Sequence, residues 1–401
     1  MSKSPRSQLL AQLGLMTLAR LCLNTGLRMV YPFAPAFARG LGVPIDAIYR
    51  LILIRSFAGF LSPLFSPLSE KYGRVPVMVG SMLIFGFGCL VVVVRPTYAA
   101  LGITLCLISL AKIIYDPAMQ SYVGERVPYA QRGRAISVTE LSWAGALLIG
   151  GPLLSLTIAR QGWLAPFFWL GLLGVLAALA VWRGVSRIHA PAAGGAVTLR
   201  QAAHTIRRHR VIWAAMAYIA LTMTASETLL IVFGDWMEST FGLGLLALGF
   251  SAGVIGLAEA TGELSTGWAV DHFGKRPVII STGLLNALTM LLLPFVSVTL
   301  PLAQVAYFAV FFLFEMTVVG SMPLMTELLP SARAVVMSAV IAAMALGRVA
   351  GAWLGPQLFA TWGFAANGVA ACVLMGTAVL ILALWVYEYE FKPTSTAVQQ
   401  K

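Results

Sequence analysis

Apolar residues in this chain fall into long runs, and short segments between them hold most of the charge. Twelve runs can be placed, at roughly 10–37, 45–68, 75–94, 98–124, 135–158, 164–182, 211–234, 245–268, 277–299, 302–326, 335–359 and 363–387. About 20 apolar residues in helical form cross about 30 Å of hydrocarbon. Backbone groups in hydrocarbon must be satisfied within their own segment, so each run predicts a helix. The pattern predicts an all-α membrane protein with twelve transmembrane helices. The first run is too long for a signal-peptide core and shows no clear cleavage site, which makes it span 1.

Composition agrees. Of 401 residues 59% are hydrophobic and only 10% are charged, against roughly 25% charged in soluble domains. Cys22, Cys89, Cys106 and Cys372 lie inside apolar runs with no ligand spacing, so they read as small buried thiols rather than a metal site or disulfides. The net charge of +12 would suit a nucleic-acid partner, but its distribution argues otherwise. With the N-terminus in the cytoplasm, 18 of the 27 Lys and Arg fall in cytoplasmic segments and four outside, at Arg39, Arg50, Arg95 and Arg160. That is the positive-inside bias that sets orientation. It predicts a multi-pass protein of the inner (plasma) membrane with both termini cytoplasmic.

The two halves resemble one another. GWAVDHFGKR, from Gly267 to Arg276, has a degraded copy, SPLSEKYGRV, 201 residues earlier. ERVPYAQR, with Glu125, Pro128 and Arg132, is matched by ELLPSAR, with Glu327, Pro330 and Arg333. Gly151-Pro152 is matched by Gly355-Pro356. Repeated landmarks at a near-constant offset indicate two fused bundles with a site between them. The division predicted is an N-terminal six-helix bundle over 1–182, a basic cytoplasmic linker over 183–210, a C-terminal bundle over 211–390 and a tail over 391–401. The linker piece TLRQAAHTIRRHR reads either as a tether or as an amphipathic helix on the anionic leaflet.

On these residues the chain resembles the major facilitator superfamily, and within it the twelve-helix proton-coupled drug exporters. The family's loop motif is Gly, three residues, Asp, a basic residue, any residue, Gly and two basic residues. Gly267, Asp271, His272, Gly274, Lys275 and Arg276 fill it; Ser66, Glu70 and Val75 depart from it in the first copy, where Lys71, Gly73 and Arg74 fit. The resemblance implies two pseudo-symmetric six-helix bundles. It implies that spans 1, 4, 7 and 10 line a central cavity, that spans 2, 5, 8 and 11 line the bundle interface, and that spans 3, 6, 9 and 12 face lipid. It also implies a gating cluster of Glu70, Lys71, Gly73, Arg74, Glu125, Gly267, Asp271, Gly274, Lys275, Arg276 and Glu327. Physically, the glycines permit a turn with positive φ, and the basic residues have Glu125 and Glu327 as partners on neighbouring loops.

Charge inside the spans tests those helix roles, because a lipid-facing charge is expensive. Eleven ionisable residues lie within spans: Arg20, Arg28, Arg55, Lys112, Asp116, Glu140, Glu227, Glu259, Glu263, Glu315 and Arg348. None lies in span 3, 6, 9 or 12. The N-terminal half holds four cations and two acids, and the C-terminal half four acids and one cation, which predicts one positive and one negative cavity wall. Asp116, Glu227, Glu259, Glu263 and Glu315 are the candidates for proton coupling. Asn24, Arg28, Tyr31, Arg55, Lys112 and Arg348 are the candidates for substrate binding. Alternatives stand beside these roles. Lys112 and Asp116, four apart, also suit an intrahelical ion pair; Glu259 and Glu263 suit separate cation partners; Arg28 suits an interbundle salt bridge. No histidine lies in a span, so a proton relay there rests on carboxylates.

No Walker loop, Gly-x-Ser-x-Gly, His-Glu-x-x-His or paired-Cys motif occurs, so neither ATP-driven transport by this chain alone nor catalysis is expected, and no cofactor or metal. The expectation is a monomeric secondary transporter moving a small organic solute by alternating access, with proton-coupled efflux favoured over import or flipping of an anionic or amphiphilic substrate. A non-transporting receptor on the same fold is the alternative from another class.

Overall fold

The computed structural model describes residues 5–127, 129–186, 199–329 and 332–386. Pro128, His189, Pro330, part of the linker and the tail over 391–401 lie outside them. All regular structure among the described residues is helical.

Span 1 comprises Pro5–Arg28 and Val30–Leu41, and span 2 comprises Ile45–Ser56, a 3-10 turn Phe57–Leu61 and Ser62–Tyr72. Spans 3 and 4 are Arg74–Val94 and Tyr98–Arg126. Span 5 is Tyr129–Leu148 with Gly150–Gln161, and span 6 is Ala165–Gly184. A short helix, Leu199–Arg208, precedes span 7, which is Arg210–Leu230 with Phe233–Phe241. Spans 8 to 12 are Leu245–Phe273, Lys275–Val296, Leu300–Glu327, Arg333–Trp362 and Phe364–Trp385.

Ten of these helices are long and apolar enough to cross a bilayer. Spans 1 and 2 fall short for a visible reason. Pro5–Arg28 carries Gln8, Gln12, Arg20, Asn24 and Arg28, and span 2 is divided at Phe57–Leu61 and carries Arg55. The polar cost is met inside the bundle, since Arg20, Asn24, Arg28 and Arg55 are all buried.

The halves repeat one packing scheme. Span 1 packs on spans 5 and 6 as span 7 packs on spans 11 and 12; span 3 packs on spans 4 and 6 as span 9 packs on spans 10 and 12. The turns repeat with equal fidelity. Every residue with positive φ among those described is a glycine, and the six form three pairs: Gly42 with Gly242 (φ 64° and 64°), Gly73 with Gly274 (87° and 82°), and Gly162 with Gly363 (89° and 74°). The separations of 200 or 201 residues match the sequence offset. At Gly73 and Gly274, ψ is 154° and 155°, a region essentially closed to other residues. Each ends one helix and starts the next with no intervening residue.

Between halves, span 5 packs on span 8 and span 2 on span 11. Small residues set the spacing. A β-carbon on Gly256 of span 8 would lie 2.6 Å from the Ala144 carbonyl oxygen of span 5, and one on Gly151 would lie 2.9 Å from that of Gly249. The Gly347, Gly351 and Gly355 ladder serves a different contact. It packs span 11 onto Ala220, Thr224 and Thr228 of span 7, inside one bundle.

Candidate functional site

Helix direction places the eleven intramembrane charges between two ends of the molecule. One end, the turn face, holds Gly73 and Gly274. The other holds Gly42, Gly162, Gly242 and Gly363.

The end opposite the turn face is sealed. Gly234 lies so close to span 1 that a β-carbon there would sit 2.5 Å from the Pro32 carbonyl oxygen and 2.6 Å from that of Tyr31. Arg39 Nη1 meets Glu238 Oε1 at 2.5 Å, and Tyr49 Oη donates to Asp235 Oδ2 at 3.1 Å. All three contacts join the N-terminal half to the C-terminal half. At the turn face the charge pairs instead stay within their own half. Arg74 Nε and Nη2 donate to Glu125 Oε1 at 3.0 and 2.8 Å, and Lys275 Nζ reaches the two Glu327 oxygens at 2.7 and 2.6 Å. These are the partners the sequence predicts for the gating cluster. Arg276 donates to the Ala383 carbonyl, Lys71 sits 5.2 Å from the Tyr72 ring, Glu70 and Asp271 are exposed, and nothing lies within 4 Å of a β-carbon built on Gly267. The conformation is therefore closed at one end, with the turn-face clusters each holding one bundle together.

Below the seal lies a dry polar layer that bridges the bundles. Tyr31 Oη donates to Glu227 Oε1 at 2.7 Å. Arg55 stacks 5.3 Å from the Tyr31 ring and donates to the Leu27 carbonyl. Arg28 grips Glu259 with two nitrogens, Nη1 to Oε2 at 2.5 Å and Nη2 to Oε1 at 2.7 Å. Side-chain exposure is 0% for Arg28 and 2% for Glu259. Bidentate geometry in a desolvated site makes this the strongest link between the halves. The break of span 1 at Met29 lets Arg28 and Tyr31 reach different acids on spans 8 and 7.

Towards the turn face an N-terminal network follows. Arg20 pairs with Asp116 at 2.9 Å and Glu140 at 2.8 Å; Lys112 pairs with Asp116 at 2.7 Å and donates to Asn24 Oδ1 at 2.7 Å; Asn24 donates to Ser142 Oγ at 3.1 Å. Asp116 thus serves two cations. Glu140 is about a third exposed, so this layer meets solvent where the previous one does not. Across from it, Gly262 of span 8 lets span 10 approach, and a β-carbon there would lie 3.0 Å from the Glu315 β-carbon. Glu315 and Glu263 are half-buried and within electrostatic reach of each other, of Glu259 and of Glu140, with Arg28 acting on Glu315 and Arg20 on Glu263 from pairs of their own. Among the described residues, Glu263 and Glu315 have neither an ion pair nor a hydrogen bond.

Sequence reasoning missed three contributors. Asp235 and Glu238 lie in a polar stretch that ended the apolar run at 234, yet span 7 continues to Phe241. Trp143 carries no charge, but it stands three residues after Glu140, on the same helical face. Its ring is approached by Arg28 at 4.3 Å, Arg348 at 5.0 Å and Lys112 at 5.3 Å. Of the two acids expected to have separate cation partners, Glu259 takes Arg28, and Glu263 makes no ion pair among the described residues.

Two pseudo-symmetric helical bundles, meeting at a charged interface that is sealed at one end, define a secondary transporter and not an enzyme. The sequence profile of the Major Facilitator Superfamily matches residues 16–328 and 219–401, and the chain belongs to that family. It is 24% identical over 366 residues, 90% of its length and 88% of the relative's, to the uncharacterized MFS-type transporter YwfA of Bacillus subtilis (strain 168). It is 23% identical over 370 residues, 84% and 87% of the two lengths, to the uncharacterized MFS-type transporter YfhI of the same organism. The fold is shared with a bacterial homolog of the human lysosomal transporter Spinster. The TM-score is 0.71 to its inward-facing unoccupied structure and 0.72 to the occupied one, at 16% and 15% identity, with 96% of each chain covered.

Proposed function

We propose that this chain couples protons to the efflux of a small organic solute by antiport, with bundles 1–182 and 211–390 rocking about the central charge layers. In this reading the turn face is cytoplasmic, as the positive-inside bias requires, and the conformation described is open towards the cytoplasm. The observation that carries it is the pair Glu263 and Glu315, two intramembrane carboxylates that make no ion pair or hydrogen bond among the described residues. Asp116, Glu227 and Glu259 are engaged by Arg20 and Lys112, by Tyr31 and by Arg28 respectively. An intramembrane ionisable group without a structural partner is the one free to load and release a proton.

The test is flux in proteoliposomes across an imposed pH gradient, for wild type, Glu263→Gln and Glu315→Gln. Efflux against an inward proton gradient, lost in both variants while pH-independent exchange persists, supports the reading. Solute and proton moving in the same direction would refute antiport. A second reading, import or flipping of an anionic substrate, is favoured by Arg55 and Arg348, which make no ion pair among the described residues and share Glu227 within electrostatic reach. In that case the same assay shows uptake with protons.

A further inference from the structure

We propose that Trp143 and Arg348 form the substrate clamp, and that it selects an organic anion with a flat, apolar body. This deepens the reading of the chain as a carrier of small organic solutes and needs neither its direction nor its proton coupling.

Trp143 is half-buried on span 5, at the level where the bundles meet. Three cations surround its indole, two from its own half and one from the other. Arg28 is neutralised by Glu259, and Lys112 by Asp116. Arg348 differs. Among the described residues its guanidinium makes no ion pair and no hydrogen bond; its contact is the indole, and it lies within electrostatic reach of Glu227, which already accepts from Tyr31. It is half-buried rather than sealed. A guanidinium with all its N–H donors unused, at a partly dry site, is matched by a carboxylate, sulfonate or phosphate taken through two parallel hydrogen bonds.

The charge count agrees. Once Arg28 is matched by Glu259, Lys112 by Asp116 and Arg20 by Glu140, Arg55 and Arg348 remain beside the one carboxylate of Glu227, a local excess of positive charge. The indole supplies the other half of the selection. Among the described residues it is the one aromatic ring with cations of both bundles over it, and its face or edge offers a flat ligand stacking area. A solute holding Arg348 by its anionic group and Trp143 by its ring would touch both bundles at once. It would replace the present Arg348–Trp143 contact and so report its presence to their relative movement. The seal residues on the opposite side leave no comparable unpaired cation, since Arg39 is engaged by Glu238.

The test uses the purified full chain in nanodiscs and isothermal titration with matched probes: 2-naphthoate, cyclohexanecarboxylate, acetate, 2-naphthamide and 2-naphthylmethylammonium. The expected order is naphthoate tightest, then cyclohexanecarboxylate, with acetate, the amide and the cation at least about 10-fold weaker. Arg348→Gln weakens naphthoate at least about 10-fold and leaves the amide unchanged; Arg348→Lys restores part of the loss. Trp143→Leu weakens naphthoate about 10-fold and acetate hardly at all, with Trp143→Phe intermediate. Thermal unfolding of each variant confirms that it is folded, and the conservative pair Arg348→Lys and Trp143→Phe carries the comparison if the others are not. Tighter binding of the cation than of naphthoate, no binding of any aromatic anion at millimolar concentration, or equal naphthoate affinity in Arg348→Gln and wild type would each overturn the clamp. Proton flux coupled to some other solute, measured in the same preparation, would leave the transport reading standing while the clamp fell.

Discussion

Replacing Glu259 by Gln should destabilise the protein far more than removing the Arg28–Glu259 pair altogether. Both side chains are essentially inaccessible, and the guanidinium holds both carboxylate oxygens. Arg28 has two further contacts, a hydrogen bond to the Trp143 carbonyl at 2.9 Å and the Trp143 ring at 4.3 Å. Neither neutralises it, and its Nε already lacks a partner. The Glu259→Gln variant leaves a buried, uncompensated cation, which costs about 3–5 kcal/mol. Replacing both residues, as Arg28→Met with Glu259→Leu, removes the charge and the desolvation penalty together, and buried pairs exchanged for apolar residues are often neutral or stabilising by about 1–4 kcal/mol. The assay is thermal unfolding in detergent micelles for wild type, the two single variants and the double variant, read as a double-mutant cycle. An interaction energy of about 2 kcal/mol or more is expected, the double variant being more stable than Glu259→Gln. A Glu259→Gln protein that unfolds where wild type does would refute the reasoning, and so would a double variant whose loss equals the sum of the single losses. Because the pair joins the halves only while they are closed together, spin labels on spans 1 and 8 should also report a wider distribution in Glu259→Gln.

Gly234→Val should prevent the sealed end from closing, since its β-carbon would meet the Tyr31 and Pro32 carbonyls; distances measured between labelled spans 1 and 7 should lengthen, and an unchanged distribution refutes the contact. Gly274→Ala should cost about 1–3 kcal/mol of stability, because φ 82° with ψ 155° strains any side chain; an unaltered melting temperature counts against the turn. Gly347→Ala should destabilise by about 1–3 kcal/mol, for its β-carbon meets the Ala220 carbonyl, whereas Gly80→Ala, with open space around it in span 3, should gain up to about 1 kcal/mol from helix propensity. The Lys275–Glu327 pair, 28% and 42% exposed, should show a coupling of no more than about 1 kcal/mol in a double-mutant cycle, falling with salt.

The sequence made the helices, the repeat and the turn-face pairs legible, because each leaves a local pattern. Arg74 with Glu125 and Lys275 with Glu327 follow from landmarks that recur at one offset. Lys112 with Asp116 also follows, from the four-residue spacing, but the partners of the other cavity charges do not. Arg28 could have met any acid of the C-terminal half; only the break at Met29 and the close approach of spans 5 and 8 at Gly256 bring Glu259 to it. The apolar run of span 7 stops at 234 because Asp235 and Glu238 look like loop residues, whereas their partners, Tyr49 and Arg39, lie across the interface and the helix continues to Phe241. The expected positive and negative walls are also rearranged. Most opposing charges cancel in pairs, and what remains is a cationic level around Arg55 and Arg348 and an acidic level around Glu263 and Glu315.

The three matched glycine turns show how faithfully the backbone was copied, and the lining between the copies was not. A cradle with twofold walls and twofold contents would accept its cargo in either of two poses related by the axis. Here the positions on span 10 that match Lys112 and Asp116 at the 201-residue offset are Leu313 and Thr317, so the two poses are unequal in energy and one orientation is preferred. Which of its ends leaves first is then set at loading, before any bundle has moved.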